Sequence, residues 1–306
     1  SWHQFLQVVV AGGIAGTLTS CADVRDTDRL QVGVTLLTEA HVFYQDLKSG
    51  LQEAAESLDV DLRIVAGEWD LARQTQQVQN FLTLDVDAIV IAPVNSSGIV
   101  SAITEANEAG VPVFTADISA DAGEIVSHIA SDNVHGGRLL GEYVAERLNG
   151  EGNVAILDQP TVASVRDRVA GFRNALQAFP NITIVAAPAV ERGLRDVAKQ
   201  KTDNLFAGGD VIHAIFGSND DCALGALASL DAAGRSDVIV VGYDATPEAR
   251  TAIASGTLLV ADAVQDPAEI GRRTIQSVAA YLRDGTVTPN VQVPVSIVTR
   301  DSLEAR

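Results

Sequence analysis

From Leu30 onward the chain alternates short apolar runs with stretches whose apolar residues fall on one helical face, and this alternation constrains it most. The first run is Val32-Gly33-Val34-Thr35-Leu36-Leu37, after which Leu47, Leu51, Ala54, Ala55 and Leu58 recur at helical spacing. Leu62-Arg63-Ile64-Val65 comes next, then a polar helix candidate through Gln74 and Gln77. Ala88-Ile89-Val90-Ile91-Ala92-Pro93 is almost continuously apolar, as expected of a parallel strand covered on both faces. A helix from about Gly98 and the strand Val111 to Thr115 follow. The pattern then restarts with strands at Val154–Leu157, Ile182–Val185, Val211–Phe216 and Val238–Val241, with helices between them.

Such alternation predicts an α/β protein built on doubly wound parallel sheets with right-handed crossovers. The strands are too many for one compact sheet, and 306 residues exceed one typical domain, so two lobes are expected. Hydrophobic residues make up 47% and aromatic ones only 5%, so Val, Ile, Leu and Ala must build the core. No linker rich in Gly, Pro and Ser separates the halves, which implies that the chain crosses between lobes several times.

A net charge of -19 repels phosphate backbones and argues against a nucleic-acid partner. Two cysteines cannot make a disulfide framework for this length; Cys222 falls in an apolar helical pattern and reads as core. The stretch from Phe5 to Leu18 is apolar and uncharged. It is shorter than the roughly 20 residues of a membrane span but fits the apolar region of a signal peptide. It ends in Leu18-Thr19-Ser20-Cys21, which resembles a lipobox. Residues 1–20 are therefore expected to be a lipoprotein-type signal peptide, Cys21 the lipidated residue and 21–29 a tether.

In doubly wound sheets ligands sit beyond the carboxyl ends of the strands. The residues there include His41 with Phe43 and Tyr44, Asp117, Asn219-Asp220 and Tyr243-Asp244. Carboxylates, amides and aromatics together match both the hydroxyls and the apolar C–H face of a sugar. The bland alternative is that Asp117, Asn219 and Asp244 cap helices or shape turns.

Several ordered motifs resemble the ribose-binding branch of the periplasmic sugar-binding proteins. They are Leu47-Lys48-Ser49-Gly50, Val126 to Asn133 followed by Gly136-Gly137, Asn219-Asp220 with Ala223 to Leu227, Val240 to Asp244 with Thr246-Pro247, and Gln265-Asp266-Pro267 with Ile270-Gly271. The resemblance spans residues 30 to 300. It implies a lobe of residues 30–131 plus 265–293, and a second lobe of 132–264 plus 294–306, joined by a hinge of three crossings. It also implies that Asp117 accepts from sugar hydroxyls and that Arg166, in Ser164-Val165-Arg166-Asp167-Arg168, offers a donor fork. The competing reading has Arg166 pairing with Asp167 or Asp132 on the surface. Asn219, Asp244 and Gln265 would complete the polar ring, Phe43 and Tyr44 would sandwich the ring face, and Ser131 would stand at the hinge. The sequence departs from that branch at Leu37, His41 and Ile118. Near the second-lobe strand Ile182 to Val185 it has Val190-Glu191-Arg192-Gly193, where Arg192 enters the site or lies exposed.

The implied function is an extracytoplasmic solute-binding protein. It would capture a small sugar, a ribose-like pentose or a related hexose or polyol, and deliver it to the permease of an ABC importer. It would act as a monomer whose only membrane contact is a lipid anchor. A sensor that presents the same clamp to a receptor, and a carbohydrate-acting enzyme using Asp117 and Asp244, are the alternatives. No nucleotide-loop, zinc-hydrolase or serine-hydrolase motif is present, and His3, His41, His128, His135 and His213 show no metal-ligand spacing, so neither a cofactor nor catalysis is expected.

Overall fold

The computed structural model describes residues 29–209 and 211–305. The expected signal segment and Cys21 lie outside the described residues. The chain begins with β1 (Leu30–Leu36), α1 (Val42–Ser57), β2 (Val60–Ala66), α2 (Leu71–Thr83), β3 (Ala88–Ile91), α3 (Val100–Glu108), β4 (Val113–Ala116) and β5 (Ser127–Ser131). Next come α4 (Asn133–Arg147), β6 (Glu151–Leu157), α5 (Ala163–Leu176), β7 (Asn181–Ala186) and a single 3-10 turn at Glu191–Gly193. They are followed by α6 (Arg195–Ala207), β8 (Ala214–Gly217), α7 (Asp220–Ala232), β9 (Ile239–Asp244), α8 (Pro247–Ala254) and β10 (Leu259–Val264). α9 (Pro267–Asp284) and β11 (Asn290–Val293) come next, and β12 (Ser296–Thr299) and α10 (Arg300–Glu304) close the described chain.

The strands form two six-stranded sheets with the same layout, β2-β1-β3-β4-β5-β11 and β7-β6-β8-β9-β10-β12. All neighbours are parallel except β12, which runs antiparallel to β10. Each sheet with its helices is a lobe of the predicted α/β class. The chain changes sheet after Ser131, after Val264 and after Val293. In each sheet the winding direction reverses at the strand next to the edge pair, at β1 and β3 in one and at β6 and β8 in the other. A crevice is expected at those strand ends.

Local chemistry fixes the helix starts that face the crevice. Asp132 caps α4 by accepting from His135 N, and Asn219 caps α7 by accepting from Cys222 N at 2.8 Å. Thr246 and Asp266 cap α8 and α9, each with Pro at the first helical position. The strand expected from Val111 begins at Val113 instead; Pro112 has no N–H to give a ladder. The apolar runs do not mark β5, β10, β11 and β12: β5 lies inside the Val126–Asn133 motif, β10 is interrupted by Asp262, and β11 and β12 are four residues long with polar residues alternating.

The motif glycines are packing residues. A Cβ on Gly50 would lie 1.9 Å from Ala268 O, and one on Gly271 2.3 Å from Leu47 O, so α1 and α9 touch backbone to backbone. A Cβ on Gly137 would lie 1.9 Å from Arg168 O, and one on Gly171 2.0 Å from Val134 O, which locks α4 to α5. Gly137→Ala should therefore push α5 outward and lower stability by about 1–3 kcal/mol, as overpacking does. Urea unfolding of the purified variant measures this; an unchanged midpoint would show that the helices yield without cost.

Candidate functional site

Between the lobes lies a small cavity of about 70 Å³ that opens at its mouth to solvent. The first lobe contributes Leu37 after β1, His41, Phe43 and Tyr44 around the start of α1, Trp69 after β2, and Asp117 and Ile118 after β4. The second contributes Gln159 after β6, Val162 and the α5 residues Ser164, Val165 and Arg168, Asn219 after β8, and Asp244 at the end of β9.

Asp117 is 4% exposed and sits at φ 66°, a left-handed conformation rare outside glycine. That twist turns its carboxylate into the cleft. Oδ2 accepts from the Tyr44 hydroxyl at 2.7 Å, while no protein group donates to the buried Oδ1. Burial raises the Asp117 pKa to about 6 against the opposing pull of Arg168. Burial, then the neighbouring Asp117, pushes the Tyr44 phenol up, so it stays a donor. Phe43 packs edge-on against Tyr44 with centroids 5.2 Å apart. His41 both lines the cavity and caps α1, its Nδ1 accepting from Phe43 N at 3.2 Å.

In the second lobe Arg168 is the organising cation. Nε donates to Asn133 Oδ1 at 2.9 Å, and Nη1 donates to Ser218 O at 2.9 Å and Asp244 Oδ1 at 3.3 Å. Its guanidinium also lies 3.9 Å from the centre of the Tyr243 ring. Gln265 Nε2 donates to the same Asp244 oxygen at 2.6 Å. Burial raises the Asp244 pKa, and Arg168 counters it. Asn219 caps α7, donates to Gly193 O at 3.2 Å and still faces the cavity, so cap and site are one residue.

Of the residues singled out from sequence, His41, Phe43, Tyr44, Asp117, Asn219 and Asp244 meet at this cavity. Gln265 lies behind Asp244, and Ser131 is buried at the end of β5, at a lobe crossing, with its hydroxyl unpartnered. Arg166 does not reach the cavity. It is 40% exposed, donates to Pro160 O at 3.1 Å and pairs with Asp121 of the opposite lobe. Two residues along a helix turn a side chain by about 200°, so Arg168 occupies the inward face and Arg166 the outward one. Arg192 stands exposed at φ 57° in the 3-10 turn and lines a neighbouring cleft with Trp69, Gln159 and Lys201. Sequence reasoning missed Trp69, Gln159, Ser164 and Arg168 as site residues. Trp69 and Gln159 follow β2 and β6, so the strand-end rule pointed to them. Arg168 needed the helix phase, which Val165 and Val169 carry.

The lobes meet across the cleft. Ser96 N donates to Thr161 O at 3.2 Å, Ala163 N donates to Ser96 Oγ at 3.0 Å, and Asp121 pairs with Arg166. Such contacts exist only while the cleft is shut.

The fold and this cleft define a two-lobed binding protein, and sequence comparison agrees: the family profile described as "Periplasmic binding protein domain" matches residues 32–286, so the chain belongs to the periplasmic binding protein family. The ribose import binding protein RbsB of Escherichia coli (strain K12) is 32% identical over 295 residues, covering 96% of this chain and 97% of that protein. A xylitol-binding protein of Mycolicibacterium smegmatis is 28% identical over 82% of this chain and 73% of its own length. Among solved structures, an ABC transporter solute binding protein from Bacillus halodurans with bound myo-inositol superposes with a TM-score of 0.83 at 28% identity, over 92% of this chain and 98% of that one.

Two outcomes follow. Arg168→Ala should cost about 3–5 kcal/mol, because it leaves Asp244 buried without its cation. Arg166→Ala, losing an exposed pair, should cost less than about 1 kcal/mol; equal losses in denaturant unfolding would contradict this division. Asp117, raised in the fold, binds its proton more tightly folded than unfolded. The unliganded protein should therefore lose up to about 3 kcal/mol as pH rises from 4 through 6. Affinity for a hydroxyl donor should move the other way and rise over that window. Asp117→Asn should abolish the rise in affinity and reduce the loss of stability, leaving the part that the likewise raised Asp220 contributes.

Proposed function

We propose that this chain is an exported solute-binding protein that closes on one small polyhydroxylated carbohydrate and hands it to the membrane permease of an ABC importer. The observation that carries the reading is the pair of buried carboxylates, Asp117 and Asp244, set on opposite lobes across one aromatic-walled cavity. An ionised carboxylate accepts two hydroxyls, and each lobe supplies one, so only the closed form makes every contact. The solutes of the similar proteins, ribose, xylitol and myo-inositol, are all hydroxyl-rich, which supports the same class here. Leu37 and Ile118 make part of the first-lobe wall apolar and favour a ligand with few hydroxyls on that side. In this reading Asp117, Asp244, Asn219, Arg168 and Gln159 bind, Phe43, Tyr44 and Trp69 cover the ring faces, and Gln265 holds Asp244.

Arg192 and Lys201 favour a second reading of the ligand. Among the described residues no carboxylate pairs with either, although the chain is strongly acidic, and they line the cleft that shares Trp69 and Gln159 with the cavity. A sugar acid would place its carboxylate there. The remaining elements of the proposal are a lipid anchor at Cys21, action as a monomer, and docking of the closed surface on the permease or on a receptor.

A thermal-shift screen over pentoses, hexoses, polyols and uronic acids tests this. A ligand at 100 times its Kd should stabilise the fold by about 2.7 kcal/mol. Asp117→Ala should abolish the shift and keep the fold. No response to any carbohydrate overturns the reading, as does turnover of one.

A further inference from the structure

Behind the cavity two carboxyls meet out of reach of water. Asp262, within β10, is 0% exposed, and Asp220, the first residue of α7, is 2% exposed. Oδ2 of Asp262 and Oδ1 of Asp220 take no hydrogen from any other group, and both lie against Gly242. A Cβ there would stand 2.4 Å from the first and 3.1 Å from the second. Two bare carboxylates in such a place would repel each other strongly, whereas one proton between them makes a hydrogen bond. Burial and Asp220 hold the Asp262 carboxyl well above the usual range, so Asp262 carries that proton and donates it to Asp220.

The outer oxygens of the pair grip the backbone beside the sugar site. Asp262 Oδ1 accepts from Ala245 N at 3.0 Å, and Asp220 Oδ2 accepts from Thr246 N at 2.6 Å. The turn they hold is strained: Asp244 has φ 119° and Ala245 φ 52°, two successive non-glycine residues in conformations that L side chains rarely adopt. Strain of this kind persists only where the surroundings over-determine it. Arg250 holds the other side, its Nε donating to Ala245 O at 2.7 Å.

We propose that Asp262, through the proton it shares with Asp220, is a positioning residue for the ligand site, fixing the 244–246 turn so that the Asp244 carboxylate is aimed at Arg168, Gln265 and the cavity. This rests on the reading of the cleft as a sugar site. The charge facing the pair is Asp244 at the end of β9, with Arg168 of α5 behind it; on α7 and α8, Asp221 and Glu248 turn outward onto Arg195, and Arg250 holds Ala245 O. β12 carries no charged residue, and α4 keeps Arg138, Glu142, Glu146 and Arg147 on its exposed side. Raising the pH strips the shared proton, sets two buried carboxylates against each other and releases the turn.

The test compares Asp262→Asn, Asp262→Leu and the parent chain with whichever carbohydrate gives the largest thermal shift. The amide of Asp262→Asn keeps both hydrogen bonds without a removable proton. Its affinity should stay within about threefold of the parent at neutral pH, and the alkaline fall in affinity seen in the parent should vanish. Asp262→Leu fills the space without the bonds and should weaken binding on the order of tenfold or more. An infrared band of a protonated carboxyl at neutral pH should be present in the parent and lost in Asp262→Asn. Absence of that band, an alkaline fall shared by parent and Asp262→Asn, or equal damage from Asn and Leu overturns the proposal. If the parent binds no carbohydrate, the sugar reading fails by itself. The band and the pH dependence of urea unfolding, which need no ligand, then still decide the pair: a stability loss on the alkaline side of neutral that the parent shows and Asp262→Asn lacks upholds it, the Asp117 loss at acid pH being common to both.

Discussion

A single buried positive charge organises the second lobe. The Arg168 guanidinium reaches the side chain of Asn133 at the start of α4, the backbone before α7, the ring of Tyr243 and the carboxylate of Asp244. Burying an arginine costs several kcal/mol unless every face of the ion is answered. Here donors meet oxygens in the plane, and an aromatic ring takes one face. The helix that carries Arg168 is held by backbone contacts at Gly137 and Gly171, so cation and scaffold are fixed together. Opposite it, Asp117 and Tyr44 form a smaller unit of the same kind. The attraction between Asp117 and Arg168 crosses the cleft, linking the two lobes electrostatically before any ligand contributes.

Much of this was legible in the sequence, and the limits have physical causes. The apolar runs of β1, β3, β6 and β8 announced themselves because both faces of a parallel strand are covered. The edge strands β11 and β12 did not, since Asn290-Val291-Gln292-Val293 and Ser296-Ile297-Val298-Thr299 read equally well as loop. Asp117, Asn219 and Asp244 were found because they stand just past strands. The motif by itself favours Arg166 over Arg168, because neighbouring motif residues look alike until the helix phase is applied. The Asp220–Asp262 pair was invisible: one member follows a strand, the other lies mid-strand at a position that pattern assigns to an apolar residue, and only the packing of β10 against α7 and β9 brings them together.

The polar groups of the cleft thus fall into two layers. Asp117, Asn219, Gln159 and Asp244 face the cavity, while Tyr44, Gln265, Arg168, Asp220 and Asp262 hold them in place. Tyr44 and Arg168 belong to both layers. Residues at φ 66° and φ 119° could not keep their aim without that backing, so the strain at Asp117 and Asp244 and the hydrogen bonds behind them are parts of one arrangement.

The two sheets share one strand order, and this gives the cavity an approximate internal symmetry. Asp117 follows β4 and Asp244 ends β9, which are the fourth strands of their sheets counted from the β2 and β7 edges; Trp69 and Arg192 follow those edge strands themselves. A ring entering between the lobes therefore meets a carboxylate in the same topological slot whichever way round it arrives. Discrimination between the two orientations falls to the residues that break the likeness, apolar Leu37 against amide Gln159 and aromatic Trp69 against an edge whose counterpart, Arg192, stands outside the cavity, so the handedness of recognition resides in the side walls rather than in the carboxylates.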